Sequence, residues 1–179
     1  MKIKALVIEL VVLLFAVGAS AQSAPAPVVQ HAVISVDAAG YGSAKGTQAV
    51  SLVGGAFQFT SNVSLGYLRV SNPADSTQPV YNLGVANYSR ELKALLGSKL
   101  SSKLAFDSSN FVVTFQAGGG KVNYAGASHV AEVGGIFLTR PVANNLALTC
   151  GYQVLHGQGT SILTRNTSSV PTVGLNFTF

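Results

Sequence analysis

The sequence contains few charged residues. Only 9% of its 179 residues are Asp, Glu, Lys or Arg, whereas 48% are hydrophobic, and the mean hydropathy is +0.41. Soluble globular domains carry about a quarter charged residues. The composition therefore argues against a domain whose whole surface faces water.

Tryptophan is absent, and cysteine and histidine are scarce. Cys150 is the sole cysteine, so an intramolecular disulfide is excluded. His31, His129 and His156 are too scattered to indicate a metal site. The run Gly118–Lys121 lacks the spacing of a phosphate-binding loop and is interpreted as a flexible loop. We therefore expect no metal, no cofactor and no catalytic residues.

Beyond the N-terminus, no apolar run approaches the roughly 20 residues of a membrane-spanning helix. At the N-terminus, Lys2 and Lys4 precede the apolar run Ala5–Val17, and Ala19–Ala21 has the small-x-small pattern of a cleavage site. This order predicts a cleaved secretory signal over residues 1–21, followed by a flexible lead-in over 22–30. The alternative is a retained membrane anchor.

The remaining residues, 31–179, suffice for one domain. High apolarity, few charges, 19 glycines and no spanning helix are hard to combine in a soluble protein. A transmembrane β-barrel combines them, because its outer wall meets lipid and its backbone groups pair between strands.

Alternation of apolar and polar residues is the dominant pattern, and it is clearest at the C-terminal end. There, one face carries Val173, Leu175, Phe177 and Phe179 and the other Gly, Asn and Thr. Further strands are predicted at Ala32–Ala39, Ala49–Phe59, Val63–Val70, Tyr81–Ala86, Phe111–Gly118, Val130–Thr139 and Leu146–Val154. The prediction is an all-β, closed, antiparallel up-and-down barrel of about eight strands.

Connection lengths support this order of strands. Two are short, at Thr60–Asn62 and Arg140–Asn145, as expected for periplasmic turns. Four are interpreted as outer loops: Gly40–Gln48, Ser71–Pro79, Gly119–His129 and Leu155–Pro171.

The connection Ser89–Asn110 is too long for a periplasmic turn. Its leucines recur near helical spacing among basic residues, and Gly97 is expected to interrupt the pattern. Two interpretations stay open: a basic amphipathic segment against the inner leaflet or the barrel mouth, or a loop with a helical turn or strand extensions.

The polarity of a side chain predicts which of the two faces of the barrel wall it occupies. The interior candidates are Asp37, Glu132, Gln116 and Gln153, because charge on the lipid side is costly. Arg69 is placed near the outer rim, within reach of a lipopolysaccharide phosphate. Two outward aromatic belts are expected: Tyr67, Tyr81 and Tyr152 at the outer interface, and Phe57, Phe59, Phe111, Phe137, Phe177 and Phe179 at the inner one.

The stretch Gly134–Tyr152 joins a glycine-bearing strand, a turn with Pro and Asn, then Leu-Ala-Leu and Gly-Tyr. It resembles the last short hairpin of small OmpA-type bacterial outer-membrane barrels. The ending Val173–Phe179 resembles the C-terminal signature that the barrel-assembly machinery reads in Gram-negative bacteria. The resemblance implies export to the outer membrane, contact with lipid and lipopolysaccharide, and a monomer. Its known roles range from anchoring and adhesion to lipid modification and narrow pores.

The lipid A deacylases among such small barrels have a His, then Ser two residues later, and an acid downstream. Here His156 is followed by Gln158, and no Asp or Glu occurs after Glu132. Residues 22–179 carry nine basic and five acidic residues, an excess of four that is too scattered for nucleic-acid binding. The leading hypothesis is a non-enzymatic structural or surface-interaction barrel. The alternatives are a small passive pore and a secreted soluble β-sandwich that binds a ligand.

Overall fold

The computed structural model describes residues 32–43, 46–72, 79–104, 106–124, 126–157 and 167–179. The predicted signal and the lead-in lie outside the described residues. The same is true of His31 and of residues 158–166 in the last outer loop.

Eight antiparallel strands form one closed barrel in chain order, with β1 paired to β8. The strands are β1 Ala32–Ser43, β2 Gly46–Gln58, β3 Val63–Ser71, β4 Val80–Glu91, β5 Val112–Tyr124, β6 Ala127–Ala143, β7 Leu146–Gly157 and β8 Thr167–Thr178. The predicted closed all-β fold is confirmed. The β-sandwich alternative is wrong, because the sheet closes on itself instead of forming two layers.

One end of the barrel, here the proximal end, contains the start of β1 and the end of β8. The short turns at residues 59–62 and 144–145 lie at this end, as does the connection between β4 and β5. That connection, the rim segment (residues 92–111), contains the helix α1 Leu92–Ser101 and a 3-10 turn, Ser108–Asn110. Gly97 interrupts α1 with a positive φ of 70°. The opposite end of the barrel is the distal end.

Among the described residues, no helix has the length and apolarity needed to cross a membrane.

The strands extend beyond their predicted limits at the distal end. The predicted loop Gly119–His129 is mostly strand, since β5 runs to Tyr124, β6 starts at Ala127 and Gly126 takes a positive φ of 79° between them. Gly40–Gln48 is likewise mostly strand. The flexible-loop interpretation of Gly118–Lys121 is therefore wrong. A glycine-rich stretch has no alternation to reveal a strand, but its backbone groups pair with both neighbours.

Period two along each strand separates interior from outer wall. In β8, Thr172 is buried, whereas the flanking Val173 is 54% exposed. Leu148, Leu175 and Phe177 are also exposed, as a lipid-facing wall requires. Large apolar residues therefore cover the outside of this barrel, the reverse of a soluble domain.

Candidate functional site

The middle of the interior is crossed by a chain of hydrogen-bonded amides. Gln153 Nε2 donates to Gln116 Oε1 at 2.7 Å, and Gln116 Nε2 donates to Asn87 Oδ1 at 3.0 Å. Asn87 Nδ2 in turn donates to Ser64 Oγ at 3.2 Å. Four strands contribute one residue each, so the network connects β3, β4, β5 and β7 through the lumen.

Smaller polar groups fill the proximal half of the interior. Thr149 Oγ1 lies 2.9 Å from Thr139 Oγ1 and accepts a hydrogen bond from Asn176 Nδ2 at 2.7 Å. Ser89 Oγ and Thr114 Oγ1 are 2.8 Å apart. Short side chains that bond to each other leave the interior polar yet filled, as expected when eight strands enclose little more than side-chain room.

Two buried oxygens of the described interior have no hydrogen-bond partner. They are Gln153 Oε1 and Thr172 Oγ1. Unpaired buried polar atoms are uncommon in folded proteins because each one costs desolvation energy. Both oxygens lie where the polar network in the lumen meets the distal half of the interior, which is apolar.

The distal half of the interior is apolar. Its buried residues form one cluster that contributes side chains from most strands: Val50, Leu52, Leu68, Val70, Tyr81, Leu83, Val85, Val122, Ala131, Val133, Leu155 and Val170. Leu52, Leu83 and Val122 are completely inaccessible to solvent. Within the described residues, this cluster separates the polar half of the lumen from the distal end.

The candidate interior residues lie in different places. Gln116 and Gln153 are buried in the lumen and bonded to each other. The backbone of Asp37 pairs with interior Leu52 and with Gly174, but its side chain lies outside the described part of the structure. Glu132 lies between the buried interior residues Ala131 and Val133, so period two places it on the outer wall and not in the lumen.

Glu132 lies directly opposite His156 in the register of β6 and β7. Both occupy outward positions near the distal end, and Glu132 Oε2 is buried without a hydrogen-bond partner among the described residues. Glu132 precedes His156 in the sequence, so the lack of acids downstream of His156 does not exclude an acid beside it, because cross-strand pairing brings Glu132 alongside. Gln158, which stands in the place of the hydroxyl nucleophile, is outside the described residues.

The aromatic belts are partly as predicted. Tyr67 and Tyr152 are exposed on the outer wall, with Tyr152 at mid-strand opposite Ile136, and Phe57, Phe59, Phe177 and Phe179 are exposed at the proximal end. Tyr81 and Phe137 correct the prediction, since both are buried in the lumen. Gly151 gives Phe137 its room, because a Cβ at Gly151 would lie 2.4 Å from Phe137 Cδ1.

Two cations flank one amide on the outer wall near the distal end. Arg69 and Lys121 both pair in register with Asn82, one from each neighbouring strand, and both are exposed. The Tyr67 hydroxyl donates to Asn82 Oδ1 and so fixes the orientation of the carboxamide. Guanidinium, ammonium and amide donors thus lie side by side on three strands.

Comparison with solved structures identifies the architecture. A de novo designed transmembrane β-barrel matches with a TM-score of 0.52 and 13% identity, over 83% of this chain and 95% of the other. The fold is that of a small transmembrane β-barrel. The crystal structure of Neisserial surface protein A also matches, with a TM-score of 0.45 and 14% identity over 84% of this chain and 97% of that one. No protein-family model matches the chain, and no curated protein does so either.

Proposed function

We propose that this protein is a non-enzymatic structural barrel of the bacterial outer membrane whose distal loops mediate surface interactions. The observation that carries the proposal is the inverted surface. Large apolar side chains cover the outer wall while amides and hydroxyls bond inside the lumen. That distribution is stable when the wall faces hydrocarbon.

Localisation follows from two sequence features that act before folding. The N-terminal signal directs export, and the alternating ending Val173–Phe179 fits recognition by the barrel-assembly machinery. The test is membrane fractionation with an electrophoretic comparison of boiled and unboiled samples. The folded barrel should sediment with outer membranes and migrate differently until it is boiled. A mature chain that is monodisperse in buffer without detergent would refute the membrane assignment.

A passive pore is disfavoured by the apolar distal half of the lumen. Leu52, Leu83 and Val122 have no solvent-accessible surface, so hydrated ions would have to displace packed side chains. Planar-bilayer recordings of the purified barrel should therefore show no reproducible unitary conductance. Regular single-channel steps, absent from a mock preparation, would establish the pore instead.

The pair Glu132 and His156 makes the absence of enzymatic activity worth testing. An acid beside a histidine can orient and stabilise an imidazolium, but acyl transfer also needs a nucleophile. The nucleophile would have to contact His156: Gln158 replaces the expected Ser, and the residue opposite His156 in the register of β7 and β8 is Thr167. Overexpression should leave the acylation of lipid A unchanged in mass spectra. Loss of an acyl chain that His156→Asn prevents would overturn this assignment.

The proposed partner on the outer wall is lipopolysaccharide, bound through its phosphates. Arg69 and Lys121 provide two positive charges on either side of Asn82 at the distal rim. Native mass spectrometry of the barrel in detergent should show retained lipid A. Exchange of both cations for Gln should weaken that retention, whereas Lys93→Gln with Lys99→Gln removes equal charge at the proximal end and should weaken it less. Equal losses in the two variants would contradict a distal phosphate site.

A further inference from the structure

The rim segment exposes large apolar side chains. Leu95, Leu100 and Phe106 are 41%, 55% and 47% exposed, and α1 buries none of its residues. Uncovered apolar surface of this kind marks an interaction site. Gly97 divides α1 into two short parts. Leu95, Leu100 and Phe106 are therefore all exposed, but they do not lie on one face of a straight helix.

The segment lies on the outside of the barrel wall. The Phe106 ring contacts the Phe111 ring edge to face, with centroids 5.0 Å apart, and the Arg140 guanidinium carbon lies 5.7 Å from the centre of the Phe111 ring. Arg140 follows Thr139, whose hydroxyl bonds in the lumen, so Arg140 projects outward. Phe111 and Phe106 therefore lie on the outer wall of the barrel. The rim segment contacts this wall and is not confined to the barrel mouth.

The wall beneath the segment is covered. Tyr88 and Val113 occupy outward positions of β4 and β5, where a bare wall would leave them exposed, yet both are buried. Both α1 and the 3-10 turn contact β4. The Leu92 N–H donates to the Phe111 carbonyl at 2.8 Å and closes the base of the segment. The segment is thus anchored against the wall with apolar side chains still uncovered.

Positive charge accompanies this exposed apolar surface. Lys93, Lys99 and Lys103 are all exposed, against the acids Glu91 and Asp107 at either end. Long lysine stems can lie along apolar surface while their ammonium groups stay hydrated. Clusters of lysines beside a membrane surface attract anionic lipid headgroups.

We propose that the rim segment lies in the interface of the phospholipid leaflet at the proximal end. Its leucines and Phe106 enter the upper acyl chains, and its lysines bind acidic headgroups. This inference rests on the proposed membrane function. It goes beyond that function by assigning the segment a lipid-binding role that the barrel alone does not require.

The absence of tryptophan makes the depth of the segment measurable. Leu100→Trp places the sole indole of the protein on the segment. In vesicles of mixed phosphatidylcholine and phosphatidylglycerol whose acyl chains carry bromine, the emission should shift to the blue and be quenched. An indole that bromine does not quench contradicts the proposal. In that case, added iodide separates two alternatives. Quenching of the indole by iodide would indicate a segment exposed to water, and no quenching would indicate a segment folded over the barrel mouth.

Two further single-tryptophan variants separate this inference from the proposed function. Leu148→Trp reports on the exposed outer wall of β7, and Ser98→Trp lies two residues from Leu100 on another side of α1. Quenching at position 148 and not at 100 would overturn the interfacial segment and leave the membrane barrel intact. Loss of quenching at both positions would overturn the membrane barrel itself. Position 98 should be quenched less than position 100.

The lysines are tested in the Leu100→Trp background. Exchange of Lys93, Lys99 and Lys103 for Gln should abolish the increase in quenching that phosphatidylglycerol produces over pure phosphatidylcholine. The difference in electrophoretic mobility between boiled and unboiled samples should be the same as in the parent, which would show that the barrel still folds. Quenching that is independent of phosphatidylglycerol in the parent would contradict the role assigned to the lysines.

Discussion

Gln116 is the central residue of the interior amide chain, donating to Asn87 and accepting from Gln153. Gln116→Leu leaves both neighbours without this partner in a buried site. We expect a loss of about 1–3 kcal/mol in the free energy of unfolding, measured by urea titration in lipid vesicles. The double variant Gln116→Leu with Gln153→Leu should lose less free energy of unfolding than the two single variants together. In the double variant, Gln153→Leu removes an amide that Gln116→Leu has already left without its partner. Strict additivity would show that the two amides act independently.

Gly151 is needed for packing, because a Cβ there would lie 2.4 Å from Phe137 Cδ1 and 2.5 Å from the Ile136 carbonyl oxygen. Gly151→Ala should therefore destabilise the folded barrel by about 1–3 kcal/mol, the usual cost of overpacking. The matched control is Gly84→Ala on the outer wall, where the nearest atom to a Cβ is the Gly119 carbonyl oxygen at 3.7 Å. Equal unfolding curves for the two variants would contradict this packing constraint.

At the scale of the strand, two outward positions of β6 allow a test of whether the outer wall faces lipid. Ile136 lies outward near the middle of the strand, and Val142 lies exposed near its proximal end. Ile136→Arg should cost about 2–4 kcal/mol in lipid vesicles, and Val142→Arg about 0–1 kcal/mol, because the penalty falls toward the interface. The measurement is urea unfolding of each variant. Similar small costs at both positions would indicate a wall that faces water.

Strict alternation is what made some strands predictable. β7 and β8 carry apolar residues on one face and small or polar residues on the other, and the structure places the apolar face, with Leu148, Leu175 and Phe177, on the outer wall. In β4, by contrast, the prediction that Tyr81 faces outward is wrong, and Tyr81 and Leu83 are both buried in the lumen. The distal interior is itself apolar, so polarity cannot distinguish the two faces there.

The interior site was only partly accessible to sequence reasoning. Gln116 and Gln153 could be proposed as lumen residues, but their direct hydrogen bond depends on the register and curvature of a closed sheet. The pairing of Glu132 with His156 also depends on register, across 24 residues of sequence. No alternation pattern specifies which residues of two strands lie opposite each other.

For the molecule as a whole, Cys150 is a natural probe of the environment. It is exposed on the outer wall of β7, between Leu148 and Tyr152. In vesicles, a charged, membrane-impermeant maleimide should not label it, whereas a small lipophilic maleimide should. Mass spectrometry after each reaction gives the labelled fraction, and urea-unfolded protein is the positive control. Rapid labelling of the folded barrel by the charged reagent would contradict a lipid-covered wall.

The pairing of the first strand with the last has a consequence for biogenesis. Ala32 and Phe179 exchange backbone hydrogen bonds of 3.3 and 2.9 Å, and β1 gains its second neighbour only from β8. A nascent chain that lacks β8 has two unsatisfied edges, which favour aggregation. Closure must therefore follow synthesis of β8, and until then both edges of the growing sheet have to be kept from pairing with other chains.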